Sequence, residues 1–487
     1  MNKVYTDAER GRQMVYREYD EKDPKSIEKY AQRAVGKTFQ DILDDDRYSE
    51  WGELHEPSAD IYEGIEEQER KHYKGKLGQL MEERYFHYDC NSKSSADFEE
   101  AGVELKVTPY KVIKNGKRVA KERVSLTLIN YMNVVNESFF ESHLWKKCRL
   151  ILFMWYRYNG KEANPFDQSI DYAQLFTPNE EDLKIIIHDF EIIVNKVKAG
   201  KAHELSESDT LYLGAAPKAT SVKNTRPQPN NSIPARLRAF TFKNSYMTYI
   251  LNNYFIPGKE KYERILPEGV STPFEEYVVS KINAFKGWSV PDLAEKFGLK
   301  TESKSTTANI AFRILGIKGN KAEEFEKAGI QVKTIRIEND NRIVQNMSFP
   351  FFKFKELMEE TWEDSTWGNL FRETRFLFIV YKFDSEGVLR LRGCQFWNMP
   401  YEDIEGDLKL VWERTREIVR NGVKIEYKDG KNSYNLPKYS ESRISHVRPH
   451  ATKDQKKDIL PDGREITKQC FWLNNTYIYS QLNENLK

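Results

Sequence analysis

The sequence predicts an α/β protein made of two tandem copies of one domain. Apolar and polar residues alternate over residues 103–108, which predicts a half-buried strand, and the apolar run at 149–155 predicts a buried one. Residues 182–198 have the apolar spacing of an amphipathic helix, and Gly200 follows them. Patterns of the same kind return in the same order roughly 230 positions later.

Length and composition allow more than one domain. The 487 residues are enough for about two to four domains, and 39% hydrophobic residues supply sizeable cores. The formal net charge is +1, so the overall charge favours neither nucleic acid nor an acidic partner. Any DNA-binding surface must therefore be local.

Cysteine usage and the chain start predict a soluble cytoplasmic protein. The cysteines, Cys90, Cys148, Cys394 and Cys470, are scattered without metal-ligand spacing, which suits a reducing compartment and disfavours structural zinc. The first residues form no apolar signal core, and no run of about 18 apolar residues occurs. We expect no membrane contact.

The first predicted elements are a charged, irregular segment at residues 1–25 and a helix pair at 26–43, with Thr38 capping the second helix. The triplet at 36–38, Gly-Lys-Thr, is not interpreted as a phosphate loop. It lacks the glycine five residues earlier, and no predicted strand precedes it.

The candidate catalytic residues are centred on the strand at 103–108. Glu104 and Lys106 are two residues apart and therefore point to the same face, and a turn can return Asp97 to a place beside Glu104. Glu82 lies in a helix-like segment before them. Converging carboxylates bind a hard divalent cation such as Mg²⁺, and a lysine beside it can orient water or stabilise a phosphate. This pattern predicts metal-assisted phosphodiester hydrolysis.

The alternative interpretation is an ordinary charged strand face. The triplet acid–any–Lys also occurs at residues 23–25, 182–184, 302–304, 407–409, 429–431 and 454–456, in a chain with 31% charged residues. Only the alternation, the upstream Asp97 and the preceding Glu82 distinguish this copy. A metal-dependent cleavage assay separates the two interpretations.

An internal repeat supports the two-copy prediction. Residues 324–334 repeat 97–106, with Gln331 following Glu104 by 227 positions. The further matching pairs, in order, are 375–381 with 149–155, 407–422 with 182–200, 447–451 with 215–219, and 474–477 with 243–246. We predict a first domain at 1–255, a linker at 256–273 and a second domain at 274–487.

The two copies differ in their acidic residues. Glu324 stands where the first copy has Asp97, and Gln331, which is neutral, stands where it has Glu104. Residues 305–320 contain no acid, so no counterpart of Glu82 is present. We therefore expect the second copy to keep the fold without a metal site or catalysis.

A basic, proline-containing loop follows the strand at 211–218 and carries Lys218, Lys223 and, further on, Lys243. Its cations and amide side chains suit phosphate contacts and base edges. The alternative is an exposed loop without a ligand.

The motifs together resemble a known family. Gly-x-Leu-x-Glu at 78–82, followed by Asp-Phe-x-x-x-Gly-Val-Glu-Leu-Lys at 97–106, resembles MutH, the GATC-nicking endonuclease of mismatch repair. The resemblance is closer to the GATC-cutting type II restriction endonucleases built from two MutH-like halves. It implies two restriction-endonuclease-like domains, each a mixed β-sheet flanked by α-helices.

The resemblance also implies a function. Asp97, Glu104 and the Leu105 carbonyl bind Mg²⁺, or Mn²⁺ as a substitute, with Glu82 as an outer or second-metal ligand, and Lys106 positions water. The first copy cuts double-stranded DNA at GATC, leaving 5′ phosphates. The implied setting is the bacterial cytoplasm, with a cognate DNA methyltransferase. One nuclease centre per chain predicts that a second copy of the protein joins it on DNA.

The implied DNA contacts are unequal in the two copies. The guanine-reading arginine of the family falls at Ala216 in the first copy and at Arg448 in the second, followed by His450. Lys74, Lys218 and Lys223 match family lysines. His446 and His450 are not expected to bind a metal, because their segment is predicted as strand and loop. The alternative functions are a strand-nicking repair endonuclease and a non-catalytic DNA-binding protein.

Overall fold

The structure, a computed structural model, is a mixed α/β protein, as predicted. It describes residues 2–5, 14–45, 73–88, 95–113, 116–160, 163–218, 224–258, 262–267, 269–270, 272–301, 303, 305–319, 321–363, 365–428, 431–450 and 457–487. The chain divides into two compact units. The first comprises Met1–His203 and Tyr212–Glu260, and the second comprises Glu204–Leu211 and Lys261–Lys487.

The first unit contains a four-stranded mixed sheet and a three-stranded antiparallel sheet. Its strands are β1 (Asn2–Tyr5), β2 (Met14–Arg17), β3 (Glu104–Val112), β4 (Arg118–Ala120), β5 (Val124–Leu128), β6 (Ile151–Arg157), β7 (Ile170–Phe176), β8 (Leu213–Pro217), β9 (Thr225–Gln228), β10 (Asn231–Arg236) and β11 (Arg238–Phe242). The sheet orders are β4-β3-β6-β7 and β5-β11-β8, with β3 and β6 parallel. The prediction of an irregular start is wrong for β1 and β2, which form an antiparallel hairpin.

The helices of the first unit are α1 (Pro24–Gln32), α2 (Phe39–Leu43), α3 (Tyr73–Leu80), α4 (Tyr131–Val134), α5 (His143–Cys148), α6 (Glu180–Lys198) and α7 (Asn244–Ile250). Thr38 caps α2 as predicted, because its side chain accepts the Asp41 N–H and the Asp41 carboxylate accepts the Thr38 N–H. A π-helical turn, Met81–Tyr85, continues α3 and carries Glu82.

The second unit contains the helices α8 (Phe274–Asn283), α9 (Val290–Lys296), α10 (Thr306–Ile314), α11 (Glu323–Ala328), α12 (Phe354–Glu359), α13 (Thr366–Glu373), α14 (Tyr401–Asp403), α15 (Lys409–Asn421) and α16 (Asn475–Ser480). Its strands are β12 (Gln331–Ile337), β13 (Met347–Phe351), β14 (Phe376–Phe383), β15 (Leu389–Trp397), β16 (Ile425–Lys428), β17 (Lys431–Tyr434), β18 (Ser445–Pro449), β19 (Lys457–Ile459), β20 (Glu465–Thr467) and β21 (Gln469–Leu473). Its larger sheets are β12-β14-β15 and β13-β21-β18.

The two units have the same connection pattern in their main sheets. In the first, β6 pairs parallel with β3 and antiparallel with β7. In the second, β14 pairs in the same way with β12 and β15. The three-stranded sheets agree as well, since β11 lies between β5 and β8, and β21 lies between β13 and β18. Equivalent strands therefore follow one another in the same order in both units.

Each unit has its own apolar core around its parallel strand pair. Ile151, Phe153 and Trp155 in β6 are fully buried, as are Phe376 and Ile379 in β14. Strands covered on both faces have such continuous apolar runs, and the apolar run at 149–155 therefore predicted a buried strand. None of the helices in the described ranges combines the length and apolar character needed to span a bilayer.

The two units differ at the first acidic position of the repeated motif. Glu324 lies in helix α11, whereas Asp97 lies in a turn before β3. The Glu324 carboxylate accepts hydrogen bonds from the backbone N–H groups of Ile265 (3.0 Å) and Leu266 (2.9 Å). It thereby fixes the segment that leads into the second unit.

A serine cap starts the corresponding helices α5 and α13. Ser142 is fully buried, its hydroxyl donates to the Phe139 carbonyl (2.6 Å), and it accepts the Trp145 N–H (3.0 Å). Likewise, the Ser365 hydroxyl donates to the Trp362 carbonyl (2.8 Å) and accepts the Gly368 N–H (3.0 Å). These caps fix the direction in which each helix enters its sheet.

We expect Ser142→Ala and Ser365→Ala each to lower the free energy of unfolding by about 1–2 kcal/mol, because each removes a helix cap and a buried side-chain hydrogen bond. Urea denaturation followed by circular dichroism measures this loss. The control is Ser138→Ala, at an exposed position four residues before Ser142, which should change stability by less than about 0.5 kcal/mol. Equal effects for Ser138 and Ser142 would contradict a specific role for the buried cap.

Candidate active site

A tight turn before β3 brings Asp97 and Glu104 together. Phe98 and Val103 exchange backbone hydrogen bonds (2.9 and 3.2 Å), and Gly102 turns the chain with φ +64°. That positive φ favours glycine, and a Cβ on Gly102 would also displace the Arg149 guanidinium, which would lie 2.0 Å away. The Leu105 N–H then donates to the Asp97 carboxylate (2.8 Å).

Two lysines lie against these carboxylates. Lys106 extends from the same face of β3 as Glu104 and forms an ion pair with it, as the alternation predicts. Lys147, from α5, lies 2.8 Å from Glu104 Oε2 and 3.8 Å from Asp97 Oδ1. Because one ammonium group contacts both acids, Asp97 and Glu104 are close enough to act on a common ligand.

Burial shapes the charge of this cluster. Glu104 is only 2% exposed, and desolvation raises the pKa of its carboxyl, with a further increase from the Asp97 charge. The Lys106 and Lys147 ammonium groups oppose this increase. The carboxylate is therefore held in the interior by cations, and another cation can compete for it.

Glu82 belongs to the same electrostatic cluster. Burial alone lowers the pKa of the Lys106 ammonium, but the Glu104, Asp97 and Glu82 carboxylates outweigh it and the net shift is upward. Lys106 is consequently a charged group in this structure and not a neutral base. Converging carboxylates of this kind are the oxygen ligands that a hard divalent cation prefers.

Lys147 is the residue that the sequence interpretation missed. It lies in a Lys-Lys pair, which suggests a solvated surface, yet it is only 8% exposed. A signal was available, because Leu144, Lys147 and Cys148 have the i, i+3, i+4 spacing of one helix face, and Leu144 and Cys148 are fully buried. A lysine on that face must be buried and needs anionic partners.

The donor set fits Mg²⁺ held by two carboxylates. In the described part of the chain, no three side chains of His, Cys, Asp or Glu are grouped closely enough to hold a metal ion by themselves. Mg²⁺ commonly takes one or two carboxylates and completes its six positions with water and substrate phosphate. Asp97, Glu104 and the Leu105 carbonyl match that chemistry, and Glu82 is a more distant member.

The corresponding place in the second unit lacks this chemistry. Gln331 is exposed, and Glu324 is committed to backbone hydrogen bonds. Counted from the helix caps, Leu370 is the counterpart of Lys147, because Leu370 lies five residues after Ser365 and Lys147 lies five residues after Ser142. Lys333, the counterpart of Lys106, lies 5.0 Å from the Phe349 ring, and burial lowers the pKa of its ammonium.

Comparison with known proteins agrees with the motif. Residues 86–189, which contain Asp97, Glu104, Lys106 and Lys147, match the family model of the DNA mismatch repair enzyme MutH. The MutH proteins of Vibrio vulnificus (strain YJ016) and Shewanella woodyi are 27% and 28% identical over 192 and 202 residues, covering 38% and 40% of this chain and 80% and 84% of their own lengths.

A longer match extends over both units. The type II restriction enzyme Sau3AI of Staphylococcus aureus is 38% identical over 466 residues, which covers 85% of this chain and 94% of that enzyme. The chain belongs to the Sau3AI family of type II restriction enzymes. The sequence-based prediction of a type II restriction endonuclease related to MutH is thereby confirmed at the level of family and enzyme class.

The predicted DNA contacts of this restriction enzyme's first unit have different settings. Lys218 donates to Ser125 (3.2 Å), and burial, followed by the charges of Lys106 and Arg123, lowers the pKa of its ammonium. Lys218 therefore lies within electrostatic reach of Lys106, the ion-pair partner of Glu104. Ala216 is buried in β8.

The other first-unit lysines are less informative. Lys74 lies in α3, but its side chain is outside the described residues, and Lys223 is outside them altogether. Lys243 is only 2% exposed at the start of α7, which does not favour direct phosphate contact. DNA contact by these lysines stays a prediction.

In the second unit, Arg448 and His450 lie at the end of β18. The Arg448 guanidinium stacks over the Trp472 ring at 4.0 Å, and the Trp472 indole N–H donates to the Arg448 carbonyl (3.2 Å). His450 is hydrogen-bonded to Ser348 (2.9 Å). His446 is bonded separately to Asn474 (2.6 Å), and desolvation lowers the pKa of its imidazole.

Because Lys147 contacts two acids, substitutions of Lys147 and Glu104 should have coupled effects on the free energy of unfolding. Lys147→Met should lower the free energy of unfolding of the cation-free restriction enzyme by on the order of 3 kcal/mol, because it leaves buried negative charge. Adding Glu104→Gln should recover part of that loss. A double-mutant cycle by urea denaturation should give a coupling energy of roughly 1–3 kcal/mol. Simple additivity of the two substitutions would contradict the buried pair.

Proposed function

We propose that this restriction enzyme is a divalent-cation-dependent nuclease that cuts both strands of DNA at GATC, with its catalytic centre in the first unit. The observation that carries the proposal is the cluster of Asp97, Glu104, Lys106 and Lys147 at the start of β3. The corresponding residues of the second unit are Glu324, Gln331, Lys333 and Leu370. The GATC sequence follows from the resemblance of the motifs to GATC-specific enzymes.

Asp97, Glu104 and the Leu105 carbonyl would hold the cation, which when bound supplies a Lewis acid for the phosphodiester and its water. The Leu105 N–H holds Asp97 in place, and Glu82 adds negative charge nearby. Water attacks phosphorus in line, the P–O3′ bond breaks, and the O3′ oxygen takes up a proton, leaving 5′ phosphate and 3′ hydroxyl ends. Type II restriction enzymes generally use divalent cations, with Mg²⁺ proposed here.

Lys106 and Lys147 have separate roles in this proposal. Lys106 extends from β3 beside the carboxylates and would orient water and stabilise charge on the phosphate. Lys147, buried by α5, would keep Asp97 and Glu104 together against their mutual repulsion until a cation arrives. Lys218, within reach of Lys106, would contact a neighbouring phosphate.

The second unit would bind DNA without cutting it. Arg448 is exposed and its guanidinium is fixed over Trp472, so its planar donor fork is available for the two acceptors of guanine. His450 and Ser348 lie on the same sheet and would contact the adjoining backbone or base edge. The shared strand order of the two units supports an origin by duplication.

One nuclease centre per chain has a consequence for double-strand cutting. A single centre hydrolyses one phosphodiester at a time, so both strands require two sequential events or two chains on the DNA. We propose that a second copy of the chain joins the first on DNA. A cytoplasmic setting, with a methyltransferase protecting host sites, accompanies this function.

The proposal predicts opposite results for two equivalent lysines. Lys106→Ala should slow cleavage of a GATC-containing plasmid in MgCl₂ by roughly 100- to 1000-fold, because it removes a charge positioned for the transition state. Lys333→Ala, the third residue of β12 as Lys106 is of β3, should stay within about twofold of the unaltered enzyme. Sequencing the product ends identifies the site, the stagger and the number of strands cut.

Three outcomes would count against this assignment. Full activity of Lys106→Ala would remove the first unit from catalysis, and strong loss in Lys333→Ala would place catalysis elsewhere. Product ends on one strand only would favour the alternative of a MutH-like nicking enzyme, the activity of the family to which the MutH relatives belong.

A second prediction concerns DNA binding by the second unit. At limiting enzyme, a plasmid with two GATC sites should be cut faster than one with a single site, because tethered sites raise the local concentration of bound protein. Arg448→Ala should reduce this advantage, with affinity falling roughly tenfold as a guanine contact is lost. Initial rates on one-site and two-site plasmids measure the effect.

The matched control for Arg448 is Arg414→Ala. It removes the same charge from the second unit, at an exposed residue paired with Glu441, and should leave the two-site advantage intact. First-order cutting of one-site DNA at vanishing enzyme, equal to that of two-site DNA, would contradict the cooperation of two chains.

A further inference from the structure

Tyr88 has a buried phenol hydroxyl for which no hydrogen-bond partner is present among the described residues. Its backbone N–H donates to the Glu82 carbonyl (3.1 Å), and its ring packs edge-on against Phe98, with 5.2 Å between centroids. Phe98 directly follows Asp97. Tyr88 therefore contacts the candidate ligand Glu82 through its backbone and the neighbour of the candidate ligand Asp97 through its ring.

Buried hydroxyl groups are normally hydrogen-bonded, and an unmet one costs stability. The neighbouring Tyr85 follows that rule, since its hydroxyl donates to the Tyr30 carbonyl (2.7 Å) and the Tyr30 hydroxyl donates to the Tyr85 carbonyl (3.2 Å). Tyr88 lies three residues further along the same segment and differs only in lacking such a partner. Its hydroxyl is thus a free donor in an otherwise well-paired region.

The acids of the cluster surround this hydroxyl electrostatically. Burial, followed by the charges of Asp97 and Glu82, raises the pKa of the Tyr88 phenol well above its usual range, so the proton stays on the oxygen. The carboxylates already accept other donors, with Glu104 bound by Lys106 and Lys147 and Asp97 by the Leu105 N–H. What the hydroxyl needs is an additional oxygen acceptor.

We propose that Tyr88 is a positioning residue of the nuclease centre, whose hydroxyl donates a hydrogen bond to an oxygen that enters with the cation or with DNA. That oxygen belongs either to water accompanying the cation or to a non-bridging position of the phosphodiester. The inference rests on the proposed function, because it assumes that the cluster around Asp97 is the nuclease centre. It adds a neutral donor to a site otherwise built from carboxylates and ammonium groups.

Tyr88→Phe tests this role, because it removes only the hydroxyl. Since that hydroxyl has no partner among the described residues, the thermal midpoint of the cation-free variant should not fall. Tyr85→Phe is the matched control, since it removes a satisfied buried hydrogen bond and should lower the midpoint by about 2–4 °C. Differential scanning fluorimetry without divalent cation measures both.

The cleavage rates should show the opposite order. In single-turnover cleavage with saturating MgCl₂, Tyr88→Phe should be at least about tenfold slower than the unaltered enzyme, as expected for losing a hydrogen bond to a charged group. Tyr85→Phe should stay within about twofold. A residue with a merely structural role would lose stability and rate together.

Two binding measurements identify the acceptor. Calorimetric titration of MnCl₂ into DNA-free protein should show weaker binding for Tyr88→Phe if the acceptor is water on the cation. Fluorescence anisotropy with a GATC duplex and MgCl₂, in the Lys106→Ala background in which cutting is expected to be slow, should show weaker DNA binding for Tyr88→Phe if the acceptor is a phosphate oxygen. Either result supports the inference.

An unchanged rate for Tyr88→Phe would overturn the inference, as would a fall in its thermal midpoint equal to that of Tyr85→Phe. Failure of the unaltered enzyme to cut plasmid DNA in MgCl₂ would instead overturn the proposed function. The cation-titration and thermal measurements do not depend on cutting. The two failures are therefore distinguishable.

Discussion

The close approach of two carboxylates at the start of β3 is the constraint on which the first unit depends. Asp97 and Glu104 repel each other, and Glu104 is almost completely buried, so neither charge is favourable there by itself. Lys147 and Lys106 balance them, and the Gly102 turn brings Asp97 to the strand. The parallel pairing of β3 with β6 and the Ser142 cap of α5 direct these residues to one point. Much of the unit's architecture can thus be understood as holding an unfavourable charge arrangement in place, as the proposed divalent cation would require.

The sequence predicted those parts of the site that lie close together along the chain. Glu104 and Lys106 share a face because strand side chains alternate, and a turn long enough to return Asp97 was visible in the spacing. Lys147 was not predicted, since its contact with Glu104 spans 43 positions and depends on how α5 packs against the sheet. The buried strand at 149–155 and the helix at 182–198 were predicted because their apolar patterns are continuous. The hairpin of β1 and β2 was missed, because its charged surroundings resemble an irregular segment.

The second unit shows which features of the fold are independent of the nuclease chemistry. Its strand order and its Ser365 helix cap match those of the first unit, while Leu370 and Gln331 stand where charged residues stand in the first. Glu324 has become a structural acceptor for two backbone N–H groups, a role that a carboxylate can fill without a cation. A buried acid can therefore survive in a duplicated domain because it acquires new donors.

The asymmetry between the units extends to the antiparallel sheet next to each centre. In the first, Lys218 is bonded to Ser125, and in the second, His450 is bonded to Ser348, with β8 and β18 holding the same place beside the central strand. Two residues before Lys218, Ala216 pairs with Ala239. Two residues before His450, Arg448 pairs with Cys470, which is two residues from Trp472. In the proposed function, the small residue gives the first sheet no guanine-reading fork at this position, whereas the stacked arginine would supply one in the second. Cutting and DNA recognition would then be divided between the two units, as expected of a duplicated nuclease.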